Sequence, residues 1–281
     1  MEELAHAKIN IFLRVLHRRD DGFHAIETLI APITLYDSLK IEPASEFEFR
    51  CDEPSLANND NLAVLAARAF FAETSREPKV RLTLQKRIPC GAGLGGGSSD
   101  AAATLRGLNR FFDVGLSDQK LTTLAAQLGS DVPFFLDETV ATCSGRGEIV
   151  TPASLPSSLN LLLLKPEFGV PSAWAYSRWQ ATRELAGTTY ERQQFAGIAW
   201  VNDLERAVFE KFVFLAQMKS WLLQQSEVGA ALMSGSGSTI FAVIRPGADC
   251  AAIAARAKDQ LDPNLWTCTC ETLEGAALLA P

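Results

Sequence analysis

The sequence predicts an α+β protein built in two halves, and three observations lead to that class. Period-2 segments recur next to one another across short turns, the pattern of hairpins. Helical segments are mixed among them rather than alternating one for one with buried strands, so a doubly wound parallel sheet is not expected. A seam rich in proline and small residues, "PASLPSS" at 152–158, interrupts the pattern near mid-chain. At 281 residues, 47% hydrophobic and 21% charged, the chain has ample material for a core and the length of one large or two medium domains. The expected halves are 1–155 and 156–281.

The elements follow in order. Ala7, Ile9, Ile11, Leu13 and Val15 alternate with Lys8, Asn10, Phe12 and Arg14, a strand with one apolar face and with Lys8 and Asn10 together on the other. "HRRDDGF" is a turn, and "HAIETLIAPITL" resumes extended structure. "SLKIEP" and "EFEFRC" are further short strands. After Asp60 and Asn61, an N-cap candidate, the residues Leu62, Leu65, Ala66, Ala69 and Phe70 keep helical spacing. "VRLTLQ" alternates again. A glycine-rich stretch follows, and beyond it Ala101, Leu105, Leu108 and Phe112 mark an amphipathic helix that Ser98, Ser99 or Asp100 can cap. The next helix starts at a Ser117 cap and stops at Gly129. "SDVPFFL" and a strand pair around "SGRGE" complete the first half. In the second half, "LNLLLL" reads as a buried strand. "SAWAYSRWQATREL", "DLERAVFEKF" and "LAQMKSWLLQQ" read as helices. "GAALMSGSGSTIFAVI" reads as two strands joined by a Gly-Ser turn, "CAAIAARAKDQL" as a helix and "TCTCETL" as a last strand.

Composition narrows the function. The net charge is -7 with no basic run, which disfavours a nucleic-acid partner. No apolar run reaches the ~18 residues of a membrane span, so no membrane partner is expected. "MEELAHAKIN" lacks the basic segment and apolar core of a signal peptide, and a cytoplasmic protein is expected. Six cysteines in a chain of this length do not imply a disulfide framework. Cys268 and Cys270 alternate along a strand and read as packed thiols rather than metal ligands.

Five glycines lie between Cys90 and Asp100 and lead directly into a helix. Ordered glycine is costly, so something there requires bare backbone. A flexible loop fits poorly, because the helix fixes one end. Gly91, Gly93 and Gly96 satisfy G-x-G-x-x-G, but the preceding strand alternates, Lys86, Arg87 and Pro89 intervene, and Asp113 follows with no second strand before it. A phosphate cradle fits better: backbone N–H groups converge on an anion and the helix N-terminus adds positive charge. No Walker lysine follows. On its residues alone Asp131, before Val-Pro, reads as a turn or cap more readily than as a base. Lys8 reads as a snorkelling strand lysine, although its place beside Asn10 favours a pocket.

"PCGAGLGGGSSDAAA" resembles the P-x-x-x-G-L-G-S/G-S-S-A-A motif of the GHMP kinases. "AKINIFLRV" with "DDGFHAIETL", "DNLAVLAAR", "GSDVPFFL", "NDLE" and "MSGSGSTIFAV" are similar to further segments of that superfamily, so the resemblance spans the chain. "GLGGGSS" is most similar to the branch that acts on a cytidine-diphosphate-linked polyol in the non-mevalonate isoprenoid pathway. The resemblance implies an N-terminal half like ribosomal protein S5, a ferredoxin-like C-terminal half and an active site in the cleft between. It implies an ATP- and Mg²⁺-dependent kinase phosphorylating the 2-hydroxyl of 4-diphosphocytidyl-2-C-methyl-D-erythritol. Homoserine- or mevalonate-like acceptors, or a dinucleotide-dependent oxidoreductase, are the alternatives.

Roles follow from the same resemblance. Asp131 is the catalytic base and Lys8 its cationic partner. ATP contacts fall on Pro89, Gly91, Gly93, Leu94, Gly95, Gly96, Gly97, Ser98 and Ser99, with Asn61 toward the adenine and Ser99 toward Mg²⁺. The acceptor falls to Asn10, to Phe23 and His24 at the cytosine, to Tyr176 on its second face, and to Gly235 and Gly237 at the polyol. Asp100 and Arg146 depart from the residues this pattern leads one to expect. The first places negative charge beside the phosphate site and the second offsets it.

Overall fold

A computed structural model describes residues 1–273, so positions 274–281 of the expected second half lie outside the described residues. Two long strands, β1 (Glu2–Arg18) and β2 (His24–Pro43), form an antiparallel hairpin around the "HRRDDGF" turn. The odd-numbered residues Ala5 to Val15 of β1 are buried, as the alternation requires. Register shifts fall between His6 and Lys8, between Asn10 and Phe12 and between Val15 and His17. Irregularities of this kind bend and twist a ribbon. Two helices frame β4 (Val80–Gln85): α1 (Leu62–Thr74) and α2 (Gly96–Phe111). Before them lies β3 (Glu48–Cys51), and after them come α3 (Asp118–Leu128), α4 (Phe134–Asp137) and the hairpin β5 (Ala141–Ser144) and β6 (Ile149–Pro152). Phe70 of α1, Leu105 and Leu108 of α2 and Leu124 of α3 pack with Leu39, Ile41, Leu82 and Leu84 of the sheet.

Beyond the seam come β7 (Asn160–Lys165), α5 (Ser172–Arg178), the hairpin β8 (Gln193–Phe195) and β9 (Ile198–Asn202), α6 (Leu204–Lys211) and α7 (Val213–Leu223). The chain continues through β10 (Val228–Met233), β11 (Ile240–Ile244), α8 (Cys250–Gln260) and β12 (Trp266–Glu271). The second sheet has the order β10-β11-β7-β12 and is wholly antiparallel. Both of its faces are covered. Leu162, Leu164 and Met233 pack under α6 and α7, while Leu161, Leu163 and Phe241 pack against Ile9 and Ile11 of β1. That double burial explains the uninterrupted apolar run Leu161–Leu164.

Two expectations are corrected. The helix expected over "SAWAYSRWQATREL" stops at Arg178. The β8–β9 hairpin was not foreseen, because strands of three and five residues are too short to display a period. β9 pairs in parallel with β1, so the first sheet, ordered β3-β4-β2-β1-β9-β8, takes strands from both sides of the seam. The second correction is at α2. Its N-cap is Gly95, left-handed at φ +74°, with no side-chain cap, and Ser98, Ser99 and Asp100 already lie within its first turns.

The other caps form as expected. Asn61 accepts from Ala63 N at 2.9 Å and Ser117 from Lys120 N at 3.3 Å. Replacing Ser117 by Ala is expected to cost about 1 kcal/mol in urea unfolding and to leave the kinetics unchanged. All six cysteines are free thiols. Among the described residues no helix is long and apolar enough to cross a membrane.

Candidate active site

The uncapped start of α2 is the first element of the site. A glycine N-cap leaves the N–H groups of the first turn without a side-chain acceptor. The helix adds its positive end at the same place. The loop leading into it is held from two directions. Lys8 N donates to Leu94 O at 3.0 Å, tying the loop to β1. The turn between β10 and β11 supplies the other ties: Ser234 Oγ donates to Gly93 O at 2.9 Å, and Thr239 N to Ala92 O at 3.1 Å. Gly93 is left-handed at φ +74°, and a Cβ there would lie 2.1 Å from Ser234 O. Two glycine loops remote in sequence thus meet backbone to backbone.

The second loop has its own anchor. Asn202 Nδ2 donates to Met233 O and Gly235 O, each at 2.7 Å, while its Oδ1 accepts from Leu204 N. Glu205 Oε1 accepts from Met233 N at 2.9 Å, and its Oε2 pairs with Lys219 Nζ at 2.6 Å in full burial. Burial pushes the Glu205 carboxyl up, against the pull of Lys219. The resemblance of "NDLE" was the only trace of this anchor in the sequence.

Above these loops lies a cleft of about 1050 Å³, lined by β1, β2, the glycine loop, α5 and the turn between β10 and β11. Of the residues expected from sequence, Lys8, Asn10, Phe23, His24, Asn61, Pro89, Gly91, Gly93, Leu94, Gly95, Gly96, Gly97, Ser98, Asp131, Tyr176 and Gly235 line it. Two do not. Ser99 is fully buried, with its hydroxyl unpartnered, because the position after Ser98 on α2 turns toward the core. The hydroxyl on the cleft is that of Ser98, which corrects the assignment of Ser99 to the metal. Gly237 packs against Met233 and Leu215 behind the turn.

On the cleft wall, Lys8 is buried and its Nζ donates to Asn10 Oδ1 at 2.6 Å. Asn10 Nδ2 in turn donates to Thr28 Oγ1 at 2.9 Å. Burial lowers the Lys8 pKa, and the charge of nearby Asp131 opposes that. The Cys143 thiol beside them is pushed up to about 12, chiefly by burial and then by Asp131, so it stays neutral. Asp131 is no cap: α4 has Pro133 at its N-cap and no side-chain cap.

Aromatic groups also line the cleft. The rings of His24 and Tyr176 stack at 5.6 Å and 28°, and Trp179 meets His24 edge-on at 6.0 Å. Burial lowers the His24 pKa, assisted by Arg18. Phe23 is 49% exposed, and the Arg146 guanidinium lies 4.9 Å from its ring centroid. Arg146 therefore belongs to the aromatic groups and offsets nothing at Asp100, whose carboxylate pairs instead with Lys86 at 2.6 Å. Trp179 was missed; its spacing of three from Tyr176 on one helical segment was the available signal.

The donor chemistry fits a nucleotide-borne magnesium ion. Such an ion keeps its phosphate and water ligands and needs one or two protein oxygens. The Ser98 hydroxyl, on the cleft, is of that kind. Among the described residues no three His, Cys, Asp or Glu side chains are grouped to hold a metal by themselves.

Comparison with known proteins agrees with this geometry. Residues 61–138 match the GHMP kinases N terminal domain and residues 183–262 the GHMP kinases C terminal domain. A relative from Methylacidiphilum infernorum, named 4-diphosphocytidyl-2-C-methyl-D-erythritol kinase, is 42% identical over 86% of this chain and 86% of its own. One of the same name from Gloeobacter violaceus is 34% identical over 98% and 95%. A crystal structure of 4-(cytidine 5'-diphospho)-2C-methyl-D-erythritol kinase superposes with a TM-score of 0.79 at 35% identity, covering 98% of this chain and 100% of that one. The mevalonate kinase of Methanococcus jannaschii shares the fold, with a TM-score of 0.68 at 11% identity. Two docked glycine loops, an uncapped helix at the cleft floor and matched sequence on both sides of the seam have one common source: the chain belongs to the GHMP kinase family.

Proposed function

We propose that this protein transfers the γ-phosphoryl group of ATP to the 2-hydroxyl of 4-diphosphocytidyl-2-C-methyl-D-erythritol. One observation carries the acceptor assignment beyond the family: the cleft that the phosphate cradle lines is also lined by Phe23 and by the stacked pair of His24 and Tyr176. An acceptor made of a polyol joined to a nucleobase spans such a cleft, and the named relatives act on one. A short acceptor such as homoserine or mevalonate has no use for the aromatic groups.

The acceptor oxygen forms its bond to the γ-phosphorus while the bond from that phosphorus to the β-bridging oxygen breaks, and ADP leaves. Asp131 takes the hydroxyl proton. Lys8, held by Asn10 and Thr28, sets its charge beside that of Asp131 and meets the charge on the transferring group. The α2 N-terminus holds the phosphates. Magnesium, when bound, neutralises charge on the phosphate oxygens. Positioning and charge supply the rate, without a covalent enzyme intermediate.

A phosphotransfer assay with the cytidine-linked acceptor, compared with free methylerythritol, tests the reading. Equal use of the free polyol rejects it. Within that assay, Phe23→Ala is expected to raise acceptor KM by roughly ten- to a hundredfold, the ~1–3 kcal/mol of a base stacked on an aromatic ring. Phe23→Tyr keeps most of the affinity, and ATP parameters hold in both. An unchanged acceptor KM in Phe23→Ala removes the ring from the base pocket.

A further inference from the structure

The glycine loop is closed from behind by a buried clasp. Asp37, near the middle of β2, is completely buried and does not line the cleft. Its Oδ1 accepts from two consecutive backbone groups, Arg87 N at 2.5 Å and Ile88 N at 2.9 Å. Its Oδ2 accepts from Lys86 Nζ. The same ammonium donates to Asp100 Oδ2 at 2.6 Å. Residues 86–88 form the stem entering the glycine loop, and Asp100 lies in the early turns of α2, the stem leaving it. One carboxylate on a rigid central strand therefore grips the first stem directly and the second through Lys86. The Lys86 ammonium also lies 3.4 Å from the point where Gly96 would carry a Cβ, which places the clasp at the helix start itself. Burial, against the pull of Lys86, raises the Asp100 carboxyl to about 7, so its charge depends on the ammonium.

We infer that Asp37 is a positioning residue for nucleotide binding: it sets the separation of the two stems and hence the aim of the loop N–H groups at the phosphates. The inference rests on the ATP-binding part of the proposed function and is independent of the acceptor. A buried carboxylate with three donors cannot be replaced without leaving donors unpaired. An asparagine offers one acceptor oxygen, so either the backbone pair or Lys86 faces an NH₂ group.

The test measures affinity for a non-hydrolysable ATP analogue by calorimetry, with steady-state kinetics alongside. Asp37→Ala is expected to weaken analogue binding at least about tenfold, while kcat at saturating ATP and acceptor KM stay within about threefold. Asp37→Asn should fall between wild type and Ala. Hydrogen exchange over residues 86–99 should quicken in both, without nucleotide. If Asp37→Ala does not fold, Asp37→Asn and Asp100→Asn decide by the same readouts. A lowered melting temperature with unchanged analogue affinity makes Asp37 a residue of stability alone and overturns the inference. So does a loss confined to kcat or acceptor KM. Wild-type protein that binds the analogue but does not phosphorylate the cytidine-linked acceptor refutes the acceptor assignment and leaves this test valid.

Discussion

Asp131→Asn is expected to lower turnover by about 10²- to 10⁴-fold, the range for loss of a general base. The amide has nearly the shape of the carboxylate but cannot take the acceptor's proton at neutral pH. Asp131 sits on the cleft wall and caps no helix, so fold and cradle should survive the change. ATP KM should move little, which separates a missing base from a disturbed nucleotide site. A second consequence concerns Lys8. Burial lowers its pKa and Asp131 opposes that lowering. Without the aspartate charge the ammonium becomes easier to deprotonate, and any basic limb in residual activity should move to lower pH. Steady-state kinetics from acid to alkaline pH check both points. Near-normal turnover in the folded variant would remove Asp131 from proton transfer.

Gly93→Ala is expected to lower kcat/KM for ATP at least about 10²-fold, the scale on which small displacements of reacting groups are felt. The left-handed backbone costs an alanine roughly 1–2 kcal/mol. The larger effect is steric. The new methyl would stand 2.1 Å from Ser234 O and 2.9 Å from Gly237 O. Both are backbone atoms of a turn pinned by Asn202, with no flexible end to move aside. The two loops must separate, and the cradle moves with them. Gly187→Ala is the control, since Gly187 is also left-handed at φ +77° but a Cβ there meets nothing within 4 Å. It should show a modest stability loss with unchanged kinetics. Circular dichroism confirms folding, and kinetics with varied ATP read the effect. Normal ATP kinetics in Gly93→Ala would mean that the loops do not depend on that contact.

Local features of the site were legible because their causes lie within a few residues. The period of β1 put Lys8 and Asn10 on one face, and the structure keeps them there, joined at 2.6 Å. Asn61 and Ser117 announced their helices because a cap needs an acceptor beside the first turn. At α2 the same rule misled. Three candidate caps stood in sequence, but glycine ends the loop and the helix begins earlier, leaving its N–H groups for a ligand. Asp131 could not be decided from its neighbours, since an aspartate before Val-Pro has the same local signature as cap or base. Only the resemblance favoured the base.

The sequence by itself determined the α+β class, most strands and helices and the family, and it pointed to residues 90–100 as a phosphate cradle. All of these rest on periodicity, capping and contiguous motifs, which act over a few positions of chain. Tertiary structure alone decided that β9 crosses the seam to pair with β1, that residues 91–93 dock on 234–239, and that Asp37 grips the first stem of the loop directly and the second through Lys86. It also placed Arg146 at Phe23 and left Lys86 to pair with Asp100. These contacts join groups remote in sequence that the fold brings together, and their partners are selected by burial and unpaired donors. No local spacing records which distant carbonyl or carboxylate will satisfy a given group.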